Sequence, residues 1–323
     1  MRQKQLALYL GALVEAGDEP ASMVSLGTVA TAASAKRALQ VLYRRAGEKR
    51  TTHLGQMADL ALMLARHWIK SSEAEVGVLR RLARQLRPDS IGLAERNAAR
   101  LAQLNDTRRM DAVLTLPIVL SAEARKAGQP TVHLARQFQT AVAVEIFLMT
   151  GLRVQNVAGL EIGRSLLLRD DGGVDFQIPR EEVKNNMPIA ADLPAECSAM
   201  IRRYVQLYRP LLGEPNSRWL FTGAKPGTHK TTAGLREQVT TAMSRRCGVR
   251  WHPHLFRHLM AHLLLEQDPG ADGIVTRALA HKRIETARES YSGYQTKSAI
   301  RRHDELLLRR RAAILGNGKG RKS

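Results

Sequence analysis

The sequence predicts a mainly α protein of two domains: an all-helical N-terminal domain, then a mixed α+β domain in which a small antiparallel sheet sits among helices. Three observations carry this. Apolar residues recur at helical spacing through most of the 323 residues. The period drops to two only across residues 165–193, where short apolar segments alternate with polar positions. The polar stretch Asn105-Asp106-Thr107-Arg108-Arg109 breaks the pattern, which puts the domain boundary between residues 1–108 and 109–323. At roughly 150 residues per domain, this length accommodates two domains with real cores.

In the first domain Leu6, Tyr9, Leu10, Leu13 and Val14 form a helical stripe, with Gly17 at the C-cap position. A second helix over residues 35–46 stops at Gly47. Thr51 or Thr52 caps a third that runs through Trp68. Ser72 and Glu75 form a capping box opening a fourth, which ends before Pro88, and a fifth covers residues 93–104. The second domain opens with helices over residues 117–127 and 132–149, joined by Gly128-Gln129-Pro130. Strands follow at residues 165–169, 174–178 and 188–193. Asp170-Asp171-Gly172-Gly173 makes the first turn, and a second turn near residues 182–187 carries Lys184. Helices resume over residues 195–208, 231–247, 254–266, 274–280 and 284–291. A last helix over residues 299–315 carries an apolar stripe, and residues 316–323 form a basic tail.

Composition narrows the function. Fifty Lys+Arg against 30 Asp+Glu give a formal charge of +20, which points to a polyanionic partner, most often nucleic acid. Aromatic residues at 4% are too few for a platform that stacks single-stranded bases. Lys36, Arg37, Arg44, Arg45, Lys49 and Arg50 cluster on and between the first helices and form a candidate phosphate-tracking surface. No apolar run is long enough to span a membrane, and Met1-Arg2-Gln3-Lys4 does not open onto a secretory signal. Cys197 and Cys247 lack disulfide or metal spacing, which suits a reducing compartment.

Three segments combine basic groups with a nucleophile. Thr150-Gly151-Leu152-Arg153 ends a buried helix and presents an arginine. His252-Pro253-His254-Leu255-Phe256-Arg257-His258 puts Arg257 about one turn beyond His254. Ala280-His281-Lys282-Arg283-Ile284-Glu285-Thr286 is followed by Tyr291. His258 and His262 share a helical face, but no Glu or Cys ligand completes a zinc site, so no metal is expected.

In this order and near these separations, the segments resemble the tyrosine recombinase (phage integrase) family over about residues 110–315. The matching pieces are Arg153 after its glycine, Lys184 in the sheet turn, His254-x-x-Arg257, His281 and Tyr291. Departures are Ala280 where the family usually has glycine, Ala287 within its threonine pair, Asn156 at a position often acidic, and a longer His281–Tyr291 spacing. The longer spacing leaves Tyr294 as a rival nucleophile.

The resemblance implies a SAM-like core-binding domain ahead of a catalytic domain, together clamping double-stranded DNA. It implies a site-specific recombinase or integrase of a mobile element that works through a 3′-phosphotyrosyl intermediate, without metal, ATP or other cofactor. Arg153 and Arg257 then clamp the phosphate oxygens, His254 and His281 bond the phosphate, Lys184 protonates the leaving 5′-oxygen and Tyr291 attacks. It further implies a homotetramer in the synaptic complex, accessory directionality proteins and a place at the bacterial nucleoid in the cytoplasm. The last helix docks on a neighbour or on its own domain. Two alternatives share these residues or this fold: a type IB topoisomerase-like relaxing enzyme, and a DNA-binding protein without catalysis.

Overall fold

The computed structural model describes residues 2–88, 93–183, 186–268 and 270–279. Two compact units divide the chain, Met1–Ser90 and Ile91–Ser323.

The first unit is helical: α1 (Arg2–Glu15), the short α2 (Leu26–Val29), α3 (Ala32–Arg45), α4 (Thr52–Met63) and α5 (Glu73–Leu86). Gly17, at φ +97°, turns the chain out of α1, and Gly47, at φ +65°, out of α3. Thr31, Thr51 and Ser72 cap α3, α4 and α5 by accepting from the third backbone N–H onward. Each such cap contributes about 1 kcal/mol. The capping box read at Ser72 and Glu75 forms only halfway: Glu75 Oε1 instead accepts from the Ala32 N–H at 2.7 Å, serving the orphan donors of α3. The third helix reaches Trp68 as expected, but its end, Leu64–Ile69, widens into a π-helical turn closed by Lys70 at φ 55°. α1 packs on α3 and α4 on α5 around Tyr9, Leu13, Leu39, Leu54, Met57 and Leu79.

The second unit contains α6 (Glu95–Ala102), α7 (Thr107–Lys126), α8 (Val132–Thr150), α9 (Val154–Ala158), α10 (Ala195–Arg203), α11 (Thr232–Cys247), α12 (His254–Gln267) and α13 (Asp272–Ala278). The polar stretch at residues 105–109 lies inside this unit. There Asp106 caps α7 by accepting from the Arg108 N–H at 2.9 Å, while Leu101 and Leu104 before it belong to the same core. α7 therefore begins ten residues ahead of the expected start at Pro117 and runs through that proline. Val113, Leu116, Leu120 and Ala124 are buried on its inner face, and that burial outweighs the one backbone bond Pro117 cannot donate.

α8 is the axis of the unit. Every side chain from Phe138 to Phe147 is buried, the pattern of a helix covered on all sides. Its neighbours are α7, α9, α10, α11, α12 and the π-helical turn Tyr204–Tyr208. Its buried polar groups all have partners. Gln139 donates to Tyr204 Oη at 2.8 Å and accepts from Lys230 Nζ at 2.7 Å, and Glu145 accepts from Cys197 Sγ at 2.7 Å.

The sheet is antiparallel, in the order β1 (Leu166–Leu168), β2 (Val174–Ile178), β3 (Ile189–Asp192). Val174, Phe176 and Ile178 alternate inward, as the period of two predicts. Gly172, at φ +93°, and Asp171, accepting from the Gly173 N–H at 2.8 Å, close the first turn. Among the described residues, no helix is long and apolar enough to cross a membrane.

Candidate active site

The end of α8 sets the position of Arg153. Gly151 stops the helix at φ +56°, a conformation side chains disfavour, and its N–H closes on Phe147 O at 3.0 Å. A Cβ there would lie 3.0 Å from Leu279 Cδ2 and 3.1 Å from Met260 Sδ, so a side chain would crowd both as well as strain φ. Thr150 Oγ1 accepts from the Leu152 N–H, and buried Leu152 anchors the chain before it turns out. Arg153 then takes extended backbone at the N-cap of α9. Its side chain is half-buried, which pulls its pKa down from the ordinary arginine value, although the guanidinium remains charged at any working pH.

Arg153 lines a cleft of about 400 Å³ with Gln155, Asn156, Glu181, Glu182, Val183 and Asn186. Among the described residues no carboxylate pairs with it, although Glu181 and Glu182 share the cleft. Asn156, the departure from an acidic residue, donates from Nδ2 to Glu182 O at 3.0 Å and ties α9 to the 3-10 turn Arg180–Glu182. Glu182 in turn pairs with Arg164 at 2.5 Å. Lys184 lies outside the described residues. The described residues on either side of it, Val183 and Asn186, both line the Arg153 cleft.

Arg257, on the first turns of α12, is only 3% exposed. Its Nη1 donates to Gly151 O at 2.6 Å and its Nη2 donates to Leu279 O. One guanidinium thus joins the turn that bears Arg153 to the end of α13, two residues short of His281. Phe256 beside it stacks on Phe147 at 5.4 Å and meets Trp251 edge-on at 5.4 Å, which fixes α12 against α8.

His254 opens α12 and is exposed. Its ring meets that of buried His258 edge-on at 4.8 Å and lies parallel to that of His252 at 6.3 Å. His281, Tyr291 and the rival Tyr294 lie outside the described residues, as do the last helix and tail. In the first unit, Lys36, Arg37, Arg44, Arg45, Lys49 and Arg50 are all exposed. Arg37 pairs with Asp18 at 2.9 Å and Arg45 pairs with Glu15.

Sequence reasoning missed a second basic group. Arg96 and Arg100 on α6, Arg236 on α11 and Arg250 gather near His252. Burial, and after it Arg100, Arg236 and Arg96, pull the pKa of His252 down. Only the helical spacing of Arg96 and Arg100 was visible beforehand, because Arg250 docks on α6 from 147 positions away through Gln103.

The arrangement suits an anion. Among the described residues, half-buried Arg153 has no carboxylate partner, Arg257 is locked to Gly151 O two residues before it, and an exposed histidine stands at the start of the same helix as Arg257. In the low-dielectric surroundings of such a site, fixed donors stabilise charge that develops on a phosphate.

The Phage integrase family model matches residues 130–297. The structure of the XerH site-specific recombinase bound to palindromic difH substrate, a post-cleavage complex, superposes with a TM-score of 0.53 at 17% identity, covering 84% of this chain and 71% of that one. The structure of XerA recombinase superposes with a TM-score of 0.41 at 13% identity, covering 94% and 98%. No curated protein matches the sequence. The family model covers more than half of the chain: the chain belongs to the phage integrase family of tyrosine recombinases.

Proposed function

We propose that the protein is a site-specific DNA recombinase, an integrase of a mobile element, that cleaves and rejoins duplex DNA through a 3′-phosphotyrosyl intermediate. The observation that carries this reading is the Arg257 guanidinium, which bonds at once to Gly151 O and Leu279 O. It holds the turn before Arg153, the helix that His254 opens and the end of α13 together, which supports reading the motif segments as one site.

In the proposed reaction the Tyr291 oxygen attacks the scissile phosphorus. A phosphotyrosyl ester forms, the bond to the 5′-oxygen breaks, and the free 5′-hydroxyl is left to reverse the step. A tyrosine hydroxyl ordinarily ionises near pH 10, so its proton must be taken up during the attack, and His254 has the exposure to receive it. Lys184 gives a proton to the departing 5′-oxygen. Arg153, with the N–H groups of Arg257 not taken up by Gly151 O and Leu279 O, holds the non-bridging oxygens as charge builds in the five-coordinate transition state, and His281 bonds another oxygen. The arginines supply the charge that a metal supplies in many phosphoryl transfers, so neither metal nor ATP enters the scheme.

The first unit is assigned as the SAM-like core-binding domain, with the exposed Lys36, Arg44 and Lys49 among its phosphate contacts. Recombination takes four protomers on two duplexes, with accessory proteins setting direction, at the bacterial nucleoid. A duplex carrying the cognate site, nicked so that the cleaved end diffuses away, tests the chemistry. Wild type accumulates a covalent adduct; Arg153→Ala binds the duplex within a few-fold of wild type but forms none. Equal loss of binding and cleavage in Arg153→Ala would make it an anchoring residue and remove it from the mechanism. Relaxation of supercoiled plasmid without joining of two marked duplexes would point to a topoisomerase instead.

A further inference from the structure

Arg96 and Arg100 lie four residues apart on α6 and so share a face. Leu101, on the same helix, is buried in the core, which turns the arginines outward. Gln103 fixes the neighbouring strap: its Oε1 accepts from the Arg250 N–H at 2.9 Å and its Nε2 donates to Arg250 O at 3.4 Å. Two residues along the strap, His252 Nε2 lies 3.2 Å from Asn97 Oδ1, between the two α6 arginines in sequence. The result is a cavity of about 420 Å³ lined by Arg96, Ala99, Arg100, Gln103 and Arg250.

Like charges held this close repel unless something of opposite sign sits among them. Elsewhere in the unit arginines find carboxylates: Arg164 pairs with Glu161 and Glu182, Arg218 with Glu161, and Arg246 with Glu123. Among the described residues, Arg96, Arg100 and Arg250 have no such partner, and the cavity lining contains no carboxylate. Burial, and after it Arg100, Arg236 and Arg96, lower the pKa of His252. His252 links α6 to the candidate active site: its Nε2 lies 3.2 Å from Asn97 Oδ1, and its ring lies parallel to that of His254 at 6.3 Å between centroids.

We infer that the Arg96, Arg100 and Arg250 cavity is a second phosphate site, which holds a backbone phosphate of duplex DNA beside the phosphate that is cut. The recombinase reading supplies the identity of the polymer; the anion preference stands on the cavity itself. A phosphate fixed here sets the register of the strand against Arg153 and His254, since contacts to the backbone position a duplex without reading its sequence.

The test measures binding of the full chain to a random-sequence duplex across a salt series, by fluorescence anisotropy. Each phosphate neutralised contributes about 0.9 to the slope of log affinity against log salt. Arg96→Ala/Arg100→Ala is expected to reduce that slope by about one and weaken binding roughly three- to tenfold at moderate salt. Arg250→Gln, which leaves the backbone strap intact, moves the slope the same way. Arg96→Lys/Arg100→Lys restores it. Arg125→Ala/Arg203→Ala removes the same charge from a separate cleft between α7 and α10 and leaves the slope at the wild-type value. An unchanged slope in both the Arg96/Arg100 alanine variant and Arg250→Gln overturns the inference. So does an equal drop in the Arg125/Arg203 control, which would reduce the effect to net charge. If wild type forms no covalent adduct on nicked DNA while the Arg96/Arg100 effect persists, the recombinase reading fails and the phosphate site stands.

Discussion

Arg257 and Arg37 carry the same guanidinium into opposite circumstances. Arg257 is almost fully buried, with both terminal nitrogens on backbone carbonyls of other segments. Arg37, on α3 in the first unit, is in solvent and shares its charge with Asp18. The first fixes three stretches of chain in one geometry, so its loss disturbs the scaffold as well as the proposed chemistry. The second belongs to a face where Lys36, Arg44, Arg45, Lys49 and Arg50 are also exposed, and acts through number and field. Position therefore decides what a positive charge contributes: held inside, it builds a site; spread outside, it attracts a polymer.

The widest test of this contrast is stability. Arg257→Ala leaves Gly151 O and Leu279 O without their donors, and each buried unpaired group costs about 1–3 kcal/mol. A loss on the order of 3 kcal/mol in urea unfolding is expected, along with loss of cleavage. Arg257→Lys recovers part of the stability but not the two-carbonyl bridge, because an ammonium has no planar fork. A cost for Arg257→Ala no larger than that for Arg37→Ala would erase the distinction.

A smaller effect comes from a buried acid. Burial raises the pKa of Glu145 above its ordinary value, against the opposing hydrogen bond from Cys197. Burial and Glu145 also push the Cys197 thiol up to about 12, so it stays protonated and donates. Between the unfolded carboxyl value, about 4.3, and the higher folded value, the native state binds more protons than the unfolded state. Stability from this group is thus fully present below the unfolded value and falls as pH rises through the folded one. Glu145→Gln keeps an acceptor for Cys197 and removes the titration, so its urea midpoint should exceed that of wild type near neutrality and fall less on raising the pH from about 4. A midpoint that tracks wild type at every pH would mean that Glu145 titrates as it does in water.

The smallest effect belongs to the outer face. Arg37→Ala and Arg45→Ala each break an exposed ion pair, a change of about 0–1 kcal/mol. Their expected mark is on binding, as a weaker salt dependence for duplex DNA. A loss of stability above that range would show that these pairs hold the helical unit together.

Much of the fold was legible because it rests on local chemistry. Thr51 and Ser72 announce their helices, Asp171 and Gly172 announce the hairpin, and the alternation Val174, Phe176, Ile178 announces its inner face. The reading failed where distant packing overruled a local rule. Pro117 looked like a helix start, but Asp106 caps α7 well before it and the buried row along α7 carries the helix through. Glu75 looked like half of a local box, but its carboxylate reaches α3, 43 positions away.

The candidate site divides the same way. Arg153, His254 and Arg257 were visible as spaced motifs, yet the bonds that join their segments span 106 and 22 positions and have no local signature. The α6 arginines went unread because their partner Arg250 arrives through a contact of 147 positions. Motifs announce which residues matter; only the fold shows what holds them.

The most direct test of the account is to trap the adduct on a nicked cognate duplex, recovered by selection from randomised DNA, and to identify the DNA-linked peptide by mass spectrometry. A nucleotide on Tyr291 is expected, with an adduct absent from Tyr291→Phe and retained in Tyr294→Phe. A linkage at Tyr294, or an adduct that survives Tyr291→Phe, would contradict it.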